Sequence, residues 1–193
     1  MSTRLNLLRA FPASLERTVT PAIDSLGDDW WTSENTLDPI EVRGETIHIP
    51  FRIYETERVI ELPLGSKRAR VRACLQSRHS DGHVRQTQLS RLLERPTEWS
   101  FPYLVQLVGE YIVEIHEEIL AGIDAIPPAL VEEFAAANPK FIAKTKQRVI
   151  SYWQQYHQKT TPLEDLASTK IIGHWDWWTR RDLPRRLERQ RWR

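Results

Sequence analysis

The chain is 193 residues long, with 7 Gly, 12 Pro, 8 Trp, one Cys and a formal net charge of +1, which suits one domain or one domain with a small appendage. Its few glycines form neither a G-x-G-x-x-G nor a G-x-x-x-x-G-K-[ST] pattern, which argues against Rossmann and P-loop enzymes. The lone Cys74 excludes an intrachain disulfide framework and any multi-cysteine zinc site.

Residues 1–65 are expected to form an N-terminal extension. One or two short helices precede residue 26, cut by Pro12 and Pro21. A small β-hairpin is expected near 40–50, because Ile40-Glu41-Val42 and Thr46-Ile47-His48-Ile49 alternate around the turn Arg43-Gly44-Glu45. Pro50 confines the second strand to an edge, and Phe51-Arg52-Ile53-Tyr54 continues it as an extended segment.

Residues 66–158 are expected to be a helical core. Ser66 caps a helix running to about residue 77, 78–82 form a turn, and a second helix spans 83–94 until Arg95-Pro96 ends it. The longest helix is expected over about 102–122, where Leu104, Val108, Tyr111, Ile112, Ile115 and Ile119 line one face. Pro128 opens a helix to about 137. Asn138-Pro139 then pairs a capping residue with proline at the first helical position, starting a helix to about 157 that buries Ile142, Val149, Trp153 and Tyr156. Residues 159–193 form a Trp/Arg-rich C-terminal segment, packed with the rest as one domain. The fold class that follows is mainly α: an antiparallel helical array around the 102–122 helix, with the small hairpin near 40–50.

The near-zero net charge conceals blocks of opposite sign. Residues 66–95 carry eight Lys or Arg against two acids, 96–139 carry eight acids and no Lys or Arg, and 179–193 carry seven Arg against two acids. Either neighbouring helices neutralise one another, or a basic face is left for an anionic partner. The most apolar window, 101–123, contains Glu110, Glu114, Glu117 and Glu118, so no membrane partner is expected. No secretory signal is discernible, and the expected compartment is the cytoplasm.

Three groups of residues merit attention for chemistry. His79-Ser80-Asp81-Gly82-His83 offers two imidazoles and a carboxylate, either as metal ligands or an acid/base pair, or as a polar turn in which Asp81 caps the next helix. Glu110, Glu114 and Glu117 share a helical stripe that Arg78 and Arg85 can reach. A buried carboxylate there calls for a two-pronged arginine partner, so an Arg85–Glu110 or Arg78–Glu114 pair is expected to fix helix register. Finally, Trp175, Trp177 and Trp178 precede Arg180, Arg181, Arg185, Arg186 and Arg189. This pattern suits partner binding, base stacking with phosphate neutralisation, or docking of the chain end on the core. Cys74 has the surroundings of an inert packed thiol.

The run Asp81-Gly82-His83-Val84-Arg85, followed by Leu89 and Leu92-Leu93, resembles the turn and second helix of a HEAT repeat over about residues 69–94. Helices of that family stack into scaffolds that bind other macromolecules, which implies a protein-binding role. The runs 78–85 and 108–115 also resemble segments of uncharacterised bacterial proteins of similar length, a likeness that brings no activity with it.

The function expected from these residues is a non-enzymatic helical interaction module that binds a protein partner or self-associates, with no cofactor. Two alternatives stand beside it. One is nucleic-acid binding through the 66–95 helices and the arginine tail. The other is a metal-dependent or hydrolytic enzyme using His79, Asp81 and His83 with Glu110 or Glu114.

Overall fold

A computed structural model describes residues 7–26, 29–33, 38–55 and 65–177, and within them the protein is mainly α-helical with small antiparallel strand pairs near the N-terminus. Helix α1 (Glu16–Asp24) contains Pro21 in its interior. Pro21 does not end the helix, contrary to expectation. Its ring removes one backbone donor, while Val19, Ala22 and Ile23 bury the apolar face that packs against α2 (Lys67–Gln76).

Strand β1 is Trp31–Thr32, and the expected hairpin is β2 (Ile40–Val42) and β3 (Glu45–Ile47), paired Ile40 to Ile47 and Val42 to Glu45. Its two-residue turn places Arg43 at φ 52° and Gly44 at φ 79°, the positive-φ pair that matches the right-handed twist of a tight hairpin. Ile40, Val42 and Ile47 point into the core. Strand β4 (Ile53–Tyr54) pairs not with this hairpin but with β1. Ile53 is further clipped to the turn after α2: its N–H donates to the Arg78 carbonyl at 2.8 Å, and its carbonyl accepts from Ser80 N–H at 2.9 Å.

Helix α2 is Lys67–Gln76, with the Ser66 hydroxyl accepting from Ala69 N–H as its cap. The expected 83–94 helix divides at Gln88 into α3 (Gly82–Thr87) and α4 (Leu89–Glu94). The expected 102–122 helix is also two: α5 (Phe101–Val108) and α6 (Val113–Ala121), separated by Gly109–Ile112. Ile112 is extended there (φ −89°, ψ 112°). The mainly α class stands, but no single helix is the centre of the array. The apolar stripe carries across the break because each shorter helix buries its own face.

Helix α7 is Pro128–Ala137 and α8 is Pro139–Tyr152, which passes into a π-helical turn at Trp153–His157. Pro139 starts α8 as expected, but Asn138 does not cap it. Its side chain instead imitates a strand partner for the hairpin. Oδ1 accepts from Glu41 N–H at 2.8 Å, and Nδ2 donates to the carbonyls of Glu41 at 3.0 Å and Phe134 at 3.1 Å.

Helix α9 is Ala167–His174 and packs on α6. Trp175 and Trp177, expected at a partner-binding surface, are core residues. They pack edge-on against Phe101 at 5.4 and 6.5 Å and lie 4.6 Å from each other between ring centroids. Burying these large rings is the stronger driving force, and each aromatic pair adds about 0.5–1.5 kcal/mol beyond its area. Trp178 and Arg180, Arg181, Arg185, Arg186 and Arg189 lie outside the described residues. One apolar cluster runs from Leu7 to Trp177, and among the described residues no helix is long and apolar enough to cross a membrane.

The Asn138 clamp is a partly buried polar link between the hairpin and the α7–α8 junction. Asn138→Ala leaves Glu41 backbone groups without partners and is expected to cost about 1–3 kcal/mol, read as a lower urea midpoint with an unchanged denaturant slope.

Candidate functional site

Glu110 sits in the break between α5 and α6 and is buried. Three arginines converge on its carboxylate. Arg52 grips it with two parallel bonds, Nη1 to Oε1 at 2.9 Å and Nη2 to Oε2 at 2.7 Å. Arg78 Nη1 donates to Oε1 at 3.2 Å. Arg85 Nη2 lies 3.6 Å from Oε2, an ion pair beyond hydrogen-bonding distance.

Three guanidinium charges therefore face one carboxylate, and backbone carbonyls take up the excess. Arg78 donates to the carbonyls of Pro50 at 3.3 Å and Phe51 at 2.6 Å, and Arg85 to those of His79 and Ser80, both at 2.9 Å. Burial pushes the Glu110 pKa up, but Arg78, Arg52 and Arg85 together outweigh it and hold the group below its ordinary value. Arg78 is pushed down to about 10, by burial first and by Arg52 and Arg85 as well, with Glu110 opposing. A second buried pair lies alongside: Arg72 Nη2 is 3.5 Å from Glu55 Oε2, and burial nevertheless raises the Glu55 pKa against Arg72 and His79.

The expected Arg85–Glu110 pair is thus present, at ion-pair distance. Arg78–Glu114 is not, because the helix break turns Glu110 inward and leaves Glu114 exposed on α6. Arg52, the best-placed partner, went unnoticed in the sequence. The only signal was its position beside Ile53 in an extended segment, where alternate residues face opposite sides.

The His79–Asp81–His83 turn is a structural device. Asp81 Oδ1 accepts from His83 N–H at 2.8 Å and caps α3, as one of the two readings expected. Asp81 N–H donates to His79 Nδ1 at 2.9 Å, so the ring proton is on Nε2, which donates to the Glu55 carbonyl at 3.0 Å. Both His79 nitrogens are engaged, while Asp81 and His83 are exposed. Among the described residues, no three His, Cys, Asp or Glu side chains are grouped to hold a metal. Half of the cations of the 66–95 basic block are also internal: Arg70, Arg72, Arg78 and Arg85 are buried, while Lys67, Arg68 and Arg95 are exposed.

A recess of about 300 Å3, counting its open mouth, lies where the irregular backbone segments meet. The break supplies Glu110 and Tyr111, α6 supplies Val113 and His116, and α8 with its π turn supplies Val149, Tyr152, Trp153 and His157. The first turn of α9 closes it with Ala167 and Ser168. Extra-wide helical turns of this kind often occur at functional sites.

Tyr111 and Tyr156 were expected in the core. They are instead 50% and 59% exposed, because the break and the π turn rotate them out of the apolar stripe. With Tyr152 they form a triangle of rings 6.0–6.3 Å apart. Inside the recess, His116 is buried and its Nε2 has no hydrogen-bond partner. Its pKa is pushed down to about 4, by burial, against the backbone carbonyls of Leu107 and Glu110 and the Glu110 charge, which favour the charged ring.

No family model matches the chain, and no curated protein or solved structure shows significant similarity to it.

Removing the shared anion leaves the arginines facing one another, so Glu110→Gln is expected to cost about 3–5 kcal/mol, measured by urea unfolding at neutral pH. His116 carries a separate pH signature. Between an ordinary pKa of 6.5 and the folded value of about 4, the unfolded chain binds a proton that the folded chain does not. Stability therefore falls as pH drops through that window, by about 3 kcal/mol at pH 4. Comparison of wild type with His116→Phe isolates this loss, and the variant's stability profile is expected to lack it.

Proposed function

We propose that this protein is a cytoplasmic, non-enzymatic helical interaction module that engages a protein partner through the tyrosine face of the recess. The observation that carries this reading is the triangle of exposed Tyr111 and Tyr156 with half-buried Tyr152, held at the ends of packed helices. Tyrosines present a large, rigid, amphipathic surface at low entropic cost, and they are enriched at the energetic centres of interfaces. The ionisable residues favour the same reading. Arg78, His79, Asp81, Arg85 and Glu110 are engaged in structural bonds. A histidine titrating near pH 4 is poorly matched to general-base work at neutral pH. The likeness of 69–94 to a HEAT repeat is in keeping with a binding scaffold.

The test places a photo-crosslinking aromatic at position 156 of the full chain in the cells that make it. A discrete adduct with one protein is expected, reduced at least about tenfold by Tyr111→Ala, since a central interface tyrosine contributes on the order of 2 kcal/mol. The same probe at exposed Glu132 is expected to give none. Equal labelling at both positions, or no adduct at 156, would overturn the reading.

A further inference from the structure

We propose that the recess beneath the tyrosine face is a binding site for an aromatic hydroxyl, whose oxygen sits between His116 Nε2 and the first turn of α9. The inference rests on the reading of that face as a binding surface.

The recess holds an unsatisfied ring nitrogen. His116 Nε2 is buried without a partner, and burial pushes the ring's pKa down to about 4, so the ring is neutral near pH 7. A neutral imidazole nitrogen either donates or accepts, according to the tautomer. A buried group of this kind gains from any hydrogen-bond partner that reaches it.

The other groups narrow the choice of partner. An ammonium would approach Glu110 where three arginines already outnumber it, so a cation is disfavoured. An anion would meet an uncharged ring in a recess that Glu110 also lines. A neutral hydrogen-bonding group meets neither obstacle.

The opposite wall asks for an acceptor. Helix α9 starts at the recess with Leu166 as its N-cap and no side chain capping it. The Ala167 and Ser168 amides have no intrahelical acceptor. A hydroxyl both donates and accepts, and so it answers both walls at once. The enclosed part has room for roughly one water-sized group, which admits a hydroxyl and leaves its carrier at the mouth. There the carrier meets Tyr111, Tyr152 and Trp153 above the apolar Val113 and Val149, a surface suited to a ring.

The experiment titrates the full chain with p-cresol and with toluene, the same ring and methyl without the hydroxyl. It follows the 15N resonance of His116 Nε2 together with the tyrosine ring signals. p-Cresol is expected to move the Nε2 resonance from the position of an unbonded nitrogen toward that of a hydrogen-bonded one. It is also expected to bind about tenfold more tightly than toluene, the worth of one neutral hydrogen bond. His116→Phe should abolish the preference. Should that variant fail to fold, the wild-type Nε2 resonance decides the matter, and exposed Tyr111→Ala should weaken both ligands while preserving their ratio.

A further arm uses N-acetyl-tyrosinamide. Binding tighter than p-cresol identifies a partner's tyrosine side chain as the source of the hydroxyl, and weaker binding identifies a free phenol. Equal affinity for cresol and toluene, or no binding of either at millimolar concentration, overturns the proposal. So does an Nε2 resonance already hydrogen-bonded and unmoved, which means an ordered water only. If cross-linking at position 156 succeeds while His116 stays silent, the interaction surface stands and the hydroxyl site falls.

Discussion

Glu110 is the residue on which the rest of the architecture leans. It is a single buried carboxylate that three arginines share. Arg52 comes from the strand region, Arg78 from the turn after α2, and Arg85 from α3. Taking any of these charges out of water alone is costly, and only mutual pairing with added hydrogen bonds offsets the loss. The cluster ties three distant segments to one point in the α5–α6 break. It does so with directional bonds, which specify position more sharply than apolar contact does.

The break and the cluster depend on each other. A continuous helix would carry residue 110 along the helix axis. Unwinding at Gly109–Ile112 lets the carboxylate turn toward the arginines. The same unwinding lifts Tyr111 to the surface and sets His116 at the back of the recess. Space is tight at this junction: a Cβ on Gly82 would lie 2.6 Å from Ile112 Cδ1. Gly82 therefore lets the start of α3 approach the break closely enough for Arg85 to reach Glu110. The recess is a by-product of the device that holds the helices in register.

Much of the local structure was legible from sequence because it rests on neighbours along the chain. Ser66 capping α2, Asp81 capping α3, Pro139 opening α8 and the Arg43-Gly44 hairpin turn each follow from short-range sterics and hydrogen bonds. Asn138 shows the limit. Its type and position suited a helix cap, but a strand nearly a hundred residues away offered its side chain better partners. Arg85–Glu110 was legible as a need for pairing. Arg52 was not, because nothing local distinguishes a buried arginine in an extended segment from a solvated one. Trp175 and Trp177 misled in the opposite direction: rings beside a basic run suit a partner surface, yet the nearest apolar surface was the protein's own core.

The amino-acid sequence by itself determined the helical class, the hairpin and most caps, since periodicity and capping act within a few residues. It also determined that a carboxylate in the 101–123 stretch needed an arginine. Tertiary structure alone decided where the longest apolar stripe would break, which arginines would meet there, and which aromatic rings would remain outside. Those outcomes turn on competition among distant groups for one buried charge and for the apolar interior, and no window of sequence contains both competitors.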